Sequence, residues 1–226
     1  MNHLNLISTI CLLLWIIYIV VMLKKSEKIV DLFLKIQLLI VLLYNTGIII
    51  VFPYKVPVEF STLSYFVVPF IVLLNVKELR IWAAYTALLS GAGYYISMVL
   101  YGNDLFGHFP VYSVVTSLFN HGSLLAYSII VILTYNIKKR DKYILLGGVF
   151  FNIVWALSLR QFVLHPGRIF IYEILDAYLV KAYFPNSNFT GVIIYFIIVF
   201  SLLFLSMKLV YVANHIYKQK VLIKTK

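Results

Sequence analysis

The sequence predicts an all-α fold: a polytopic membrane bundle of about seven transmembrane helices, forming a single integral membrane domain over 1–226. Three observations carry that prediction. The chain is 63% hydrophobic and 12% charged, well above the roughly 45–50% apolar share of soluble domains. Its apolar residues gather in runs of near-spanning length, and its basic residues gather in alternate connections between those runs.

The runs are Asn5 to Leu23, Ile36 to Phe52, Phe60 to Val76, Ile81 to Leu100, Val111 to Tyr135, Tyr143 to Leu164 and Gly191 to Ala213. Each approaches the length needed to cross a hydrocarbon core of about 30 Å. The first run has no basic leader and no small-residue cleavage site, and it continues to Leu23 before Lys24 and Lys25; it reads as a retained helix.

Orientation follows from the cations. On one side stand Lys24, Lys25, Lys28 and Lys35; Lys77 and Arg80; Lys138, Lys139, Arg140 and Lys142; and Lys208, Lys218, Lys220, Lys224 and Lys226. Only Lys55, Arg160, Arg168 and Lys181 fall on or near the other. The positive-inside rule then places the amino terminus outside and the carboxyl terminus in the cytoplasm of a cell-membrane protein. An even number of helices would break this alternation.

The net charge of +11 does not read as a nucleic-acid footprint, because the cations sit in short loops and not on one soluble face. Cys11 is the single cysteine, so no disulfide framework is expected. His108, His121 and His165 lie on separate segments without paired ligand spacing, and no phosphate-binding glycine loop occurs. No metal, cofactor or soluble protein partner is therefore expected; the expected partner is membrane lipid.

The longest connection, His165 to Thr190, belongs to the outer side. Within it Ile169 to Tyr183 carries Phe170, Ile171, Ile174, Leu175, Tyr178 and Leu179 on one face, the pattern of a helix lying in the interface. Asn188, Phe189 and Thr190 form a glycosylation acceptor pattern.

Depth sorts the polar residues. Glu59, Ser61, Thr62 and Ser64 open the third helix from the outside, and Asn120 and His121 lie two or three turns into the fifth. Arg160, Gln161 and His165 end the sixth near the same level. An ionisable side chain at membrane depth costs about 2.5–3.5 kcal/mol unpaired, so it faces the bundle interior or pairs. For Arg160 the candidate partners are Glu59 and Glu173. Asp31 and Lys35, four positions apart, read as a self-neutralising pair.

Pro69 predicts a kink in the third helix. Gly91, Gly93, Gly122, Gly147 and Gly148 predict close helix contacts, while Asn45 and Asn152 read as interhelical hydrogen-bonding groups. Trp15, Trp82 and Trp155 read as packing or interface anchors.

A serine or threonine hydroxyl becomes a nucleophile when a base takes its proton, and imidazole is the common activator. Ser61 or Thr62 with His121 supplies those types, and Glu59 is placed to orient the imidazole. Asn120, Arg160 and His165 are the candidate substrate-binding residues. His121 also reads as a helix-bridging group, and Ser61 as a helix cap.

The segment Pro57-Val58-Glu59-Phe60-Ser61, the later Trp82, and Phe119-Asn120-His121-Gly122 resemble the YwaF-like integral membrane proteins, a family that includes the eukaryotic transmembrane protein 164 acyltransferases. The resemblance implies Ser61 at the position of the family's acyl-carrying cysteine, Glu59 at its first histidine and His121 at its intramembrane histidine. A more distant resemblance, to the androgen-induced-gene lipid hydrolases that pair an intramembrane threonine with a histidine, implies Thr62 as nucleophile. The expected function is a lipid acyltransferase or acyl hydrolase at the outer leaflet. The alternative is a non-enzymatic lipid-binding or transporter-like protein with a buried polar site.

Overall fold

The computed structural model describes residues 3–52, 57–58, 60–162, 170–177, 180 and 189–224. The described chain is built of helices: α1 (Leu4–Met22), α2 (Glu27–Val51), α3 (Phe60–Leu73), α4 (Arg80–Phe106), α5 (Val111–Thr134), α6 (Asp141–Leu159), α7 (Phe170–Leu175) and α8 (Phe189–Lys224). Six regions, α1, α2, α4, α5, α6 with its 3-10 extension Arg160–Phe162, and most of α8, are long and apolar enough to cross a membrane. α3 is shorter: its 14 residues reach about 21 Å at 1.5 Å per residue.

The bundle is apolar outside. Leu13, Leu14, Leu43, Phe150 and Phe204 are all exposed, as expected where the surrounding solvent is hydrocarbon. Inside, α4 and α5 form the central pair. Ala83, Ala84 and Ala87 on α4 and Ala126 on α5 are fully buried, a seam of small residues that lets backbones approach. At Gly91 a Cβ would lie 2.8 Å from the His121 carbonyl oxygen and 2.8 Å from the Leu125 nitrogen, so the two backbones touch there. Gly122 and Gly148 are likewise filled by Trp15 and Trp82, whereas Gly93 and Gly147 face open space.

Hydroxyl and amide groups join the remaining helices. The Tyr85 hydroxyl lies 2.6 Å from Ser206 Oγ, tying α4 to α8, and Tyr44 donates to Thr116 Oγ1 at 3.1 Å, tying α2 to α5. Asn214 Nδ2 donates to the Ile132 and Tyr135 carbonyls at 2.7 and 2.8 Å, which closes the end of α5 where helix carbonyls lack partners.

Several boundaries differ from expectation. α2 begins at Glu27, well before Ile36, because Asp31 and Lys35 neutralise each other at 2.6 Å and permit a charged first third. α3 ends at Leu73 in a Schellman turn: Val76 N–H donates to the Ile71 carbonyl at 2.9 Å and Asn75 N–H to Val72 at 3.2 Å, with Asn75 at φ 56°. α8 continues past Ala213 to Lys224. Of the interfacial helix expected over Ile169 to Tyr183, Phe170–Leu175 is helical and Ala177 is left-handed at φ 51°, while Ile169, Tyr178, Leu179 and 181–183 lie outside the described residues.

The connections sort onto two faces. Leu23 and Lys25 after α1, Lys77 and Glu78 before α4, and Tyr135, Asn136, Lys138 and Arg140 before α6 line one cavity. On the other face the start of α1 is bonded to the end of α4, and Trp155 Nε1 donates to the Pro57 carbonyl at 2.9 Å.

The first of those contacts has an unusual form. α4 departs from helical geometry at Tyr101 (φ −130°, ψ 17°), where the bond from Asn103 N–H to the Val99 carbonyl would pass. The Asn5 amide stands in that gap: its Nδ2 donates to the Val99 carbonyl at 3.0 Å and its Oδ1 accepts from Asn103 N–H at 3.0 Å. Asn103 Oδ1 in turn accepts from Leu4 N–H at 2.8 Å, which satisfies one open donor of α1.

Candidate functional site

His121 lies where α3, α4 and α5 meet. It is ten residues into α5, and Ser90 is ten residues into α4 from the opposite face, so each is about 15 Å along its helix. That puts the imidazole near mid-depth and only 6% exposed. The close backbone approach at Gly91 is what brings the neighbouring Ser90 carbonyl within reach of the ring.

Both ring nitrogens are engaged. Nδ1 lies 3.1 Å from the Ser90 carbonyl oxygen and 3.3 Å from Ser90 Oγ. A carbonyl only accepts, so Nδ1 carries the hydrogen it needs. In the neutral ring Nε2 then holds the lone pair, and the Tyr65 hydroxyl donates to it at 2.6 Å. Tyr94 stacks flat on the imidazole, with centroids 3.9 Å apart and planes 6° from parallel, and the Tyr65 ring meets it edge-on at 5.4 Å. Such a ring has one tautomer and one orientation. Its basic nitrogen is aimed at α3.

Ser61 precedes Tyr65 by one turn on α3, so the two share a helix face; Thr62 is the next residue along, and both are half-buried. Asn120 is buried beside His121 in the chain, at 4% exposure. Glu59 and His165 lie outside the described residues.

Arg160 belongs to a second centre, at the end of α6. Its guanidinium donates to Asp176 through Nη1 at 2.8 Å and Nη2 at 2.6 Å, a bidentate pair. The same guanidinium lies over the Tyr172 ring at 5.1 Å, and the Tyr172 hydroxyl donates to the Ala156 carbonyl at 2.7 Å. Burial raises the Tyr172 phenol above its ordinary range, and Arg160 offsets part of that rise. The outer cluster expected from depth alone therefore resolves into two networks: His121 with Tyr65, Ser90 and Tyr94, and Arg160 with Asp176 and Tyr172.

Comparison of the chain with protein-family models, with curated proteins and with solved structures finds no match.

Tyr65, Ser90, Tyr94 and Asp176 escaped the sequence reading as site residues. Tyr65 carried a signal, its place four positions after Ser61 on a helix. Ser90 carried another, as a small polar residue directly before the contact glycine. Asp176 carried none, because nothing in the sequence singles it out from Glu59 and Glu173 as the acid that meets Arg160.

Proposed function

We propose that the chain crosses the cell membrane seven times, α3 included, with its amino terminus outside, and acts on lipid as an acyltransferase or acyl hydrolase of the YwaF-like type. The crossing count is supported by the cavity that collects the first, third and fifth connections: a chain that leaves that face through α2 returns to it through α3. The orientation is supported by the cations gathered on that same face.

The observation that carries the catalytic reading is the fixed line Ser90 carbonyl, His121, Tyr65 hydroxyl. A histidine whose Nδ1–H is held by an acceptor and whose Nε2 faces a hydroxyl has the geometry of a general base. In this reading the Ser61 or Thr62 hydroxyl adds to the acyl carbonyl of a lipid, and its proton passes to His121 with Tyr65 as carrier. The carbon–oxygen bond to the lipid alcohol then breaks, and His121 returns the proton to that alcohol. Water or a second lipid alcohol takes the acyl group from the enzyme. The Ser90 carbonyl orients the imidazole through Nδ1, the role the sequence had suggested for Glu59, and Asn120, Arg160 and His165 are the proposed substrate-holding residues.

The test is lipid mass spectrometry on purified protein in vesicles of defined phospholipid, comparing the natural chain with His121→Gln, Tyr65→Phe, Ser61→Ala and Thr62→Ala. Acyl release or transfer that vanishes with His121 and with one α3 hydroxyl supports the reading. Turnover that survives His121→Gln defeats it.

A second reading has its own observation: with both nitrogens bonded and one face covered by Tyr94, His121 is fully satisfied as a bridge among three helices. The protein is then a non-enzymatic lipid-binding or transporter-like bundle. In that case the four variants change stability and leave lipid composition untouched.

A further inference from the structure

The lysine-rich face holds a cavity of 610 Å³ with a distinct chemical layout. Its deeper wall is apolar, formed by Met22, Leu23, Val30, Ile130 and Val131 from α1, α2 and α5. Its rim carries five cations from three separate connections: Lys25, Lys77, Arg80, Lys138 and Arg140. Glu27 and Glu78 are the acids of the lining, leaving a net charge of three positive.

Arg80 is held in place, with Nη2 donating to Asn75 Oδ1 at 2.6 Å and standing 4.0 Å from Asp31. Among the described residues, Lys25, Lys77, Lys138 and Arg140 are in no ion pair. Cations that merely snorkel to a membrane surface spread around the circumference of a bundle. Here residues distant in sequence converge on one concavity, with a greasy wall beneath them.

We propose that this cavity binds a phosphate-bearing anion, with the phosphate against Lys77, Lys138 and Arg140 and an apolar portion against the α1 and α5 wall. The volume falls within the range of about 300–1,000 Å³ typical of small-molecule sites. Basic pockets between membrane helices take anionic headgroups by the same electrostatics, and the apolar wall favours an anionic phospholipid over a soluble phosphate. The site is separate from the His121 centre and stands whether or not that centre is catalytic.

The experiment is native mass spectrometry of the full chain in detergent, titrated with phosphatidylglycerol, with phosphatidylcholine and with glycerol 3-phosphate. Phosphatidylglycerol is expected to bind at least about tenfold more tightly than phosphatidylcholine, since each cation near the phosphate contributes roughly fivefold. Binding of glycerol 3-phosphate with equal strength also supports the site and assigns a soluble source. The variant Lys77→Gln, Lys138→Gln, Arg140→Gln is expected to weaken anion binding roughly a hundredfold. The charge-matched control Lys28→Gln, Lys139→Gln, Lys220→Gln, on the same face outside the cavity, is expected to change it less than about threefold. Equal loss in the two triple variants, retention in the first, or no preference for the anionic lipid overturns the proposal. Should the first variant not fold, Lys77→Gln alone, at an exposed position, is expected to weaken binding about fivefold, and no weakening there overturns the proposal.

Discussion

The Tyr65 hydroxyl stands 2.6 Å from His121 Nε2, and that contact joins α3 to α5 through two side chains 56 positions apart. The bond sits in a buried setting, where an abandoned donor or acceptor finds no water. Tyr65→Phe strands the Nε2 lone pair and is expected to destabilise the bundle by about 1–3 kcal/mol. Unfolding in detergent checks this. The double variant with His121→Gln should lose much less than the two single losses combined, because each removes the same interaction.

The α4–α5 seam depends on the missing side chain at Gly91. Gly91→Ala pushes a methyl against the His121 carbonyl and Leu125 nitrogen and is expected to cost about 1–3 kcal/mol. Gly147→Ala, at a position facing open space, is expected to be neutral or slightly stabilising, by up to about 1 kcal/mol through helix propensity. Thermal unfolding of the two variants side by side separates packing from propensity, and equal effects would contradict the packing account.

Asn5 holds the break in α4 together. With Asn5→Ala the Val99 carbonyl and Asn103 N–H both lose their partner, and the expected cost is about 1–2 kcal/mol in this partly exposed setting. Amide hydrogen exchange is the sensitive readout. The Asn103 amide should exchange faster in the variant, while amides near Ala84 should not change.

The sequence made the membrane class and most of the bundle legible, because apolar runs and alternating lysines are direct consequences of the solvent. Val111 to Tyr135 was read almost to the residue, since Pro110 opens that helix and polar residues close it. The start of α2 was legible in part: Asp31 and Lys35 read as a pair spaced four apart, as on a helix, but the apolar run alone set the expected start at Ile36. The interfacial helix was legible over Phe170–Leu175, but nothing in the apolar pattern marks Ala177 for a left-handed conformation. At the site, His121 stood out as an ionisable group at membrane depth. Its partners did not, because tyrosines and serines are ordinary on membrane helices and only three-dimensional packing selects Tyr65, Ser90 and Tyr94.

The Arg160–Asp176 pair is a different kind of contact. Its side chains are 39% and 40% exposed, so solvent screens the attraction despite the bidentate geometry. Arg160→Lys keeps the charge and loses the fork, with an expected stability loss of about 1 kcal/mol or less. A double-mutant cycle with Asp176→Asn measures the coupling. A value of several kcal/mol would mean that the pair is shielded in the membrane far more than its exposure implies.

Whether His121 presents an unprotonated Nε2 to the Tyr65 hydroxyl decides between a base and a bridge. Nitrogen-15 NMR of histidine-labelled protein in nanodiscs, with His121 assigned by comparison with His121→Gln, reads that tautomer directly. The account predicts a neutral ring with hydrogen on Nδ1 and an unprotonated Nε2 whose shift moves in Tyr65→Phe. A ring with hydrogen on Nε2, or one unaffected by loss of the Tyr65 hydroxyl, would contradict it and leave His121 as a structural bridge.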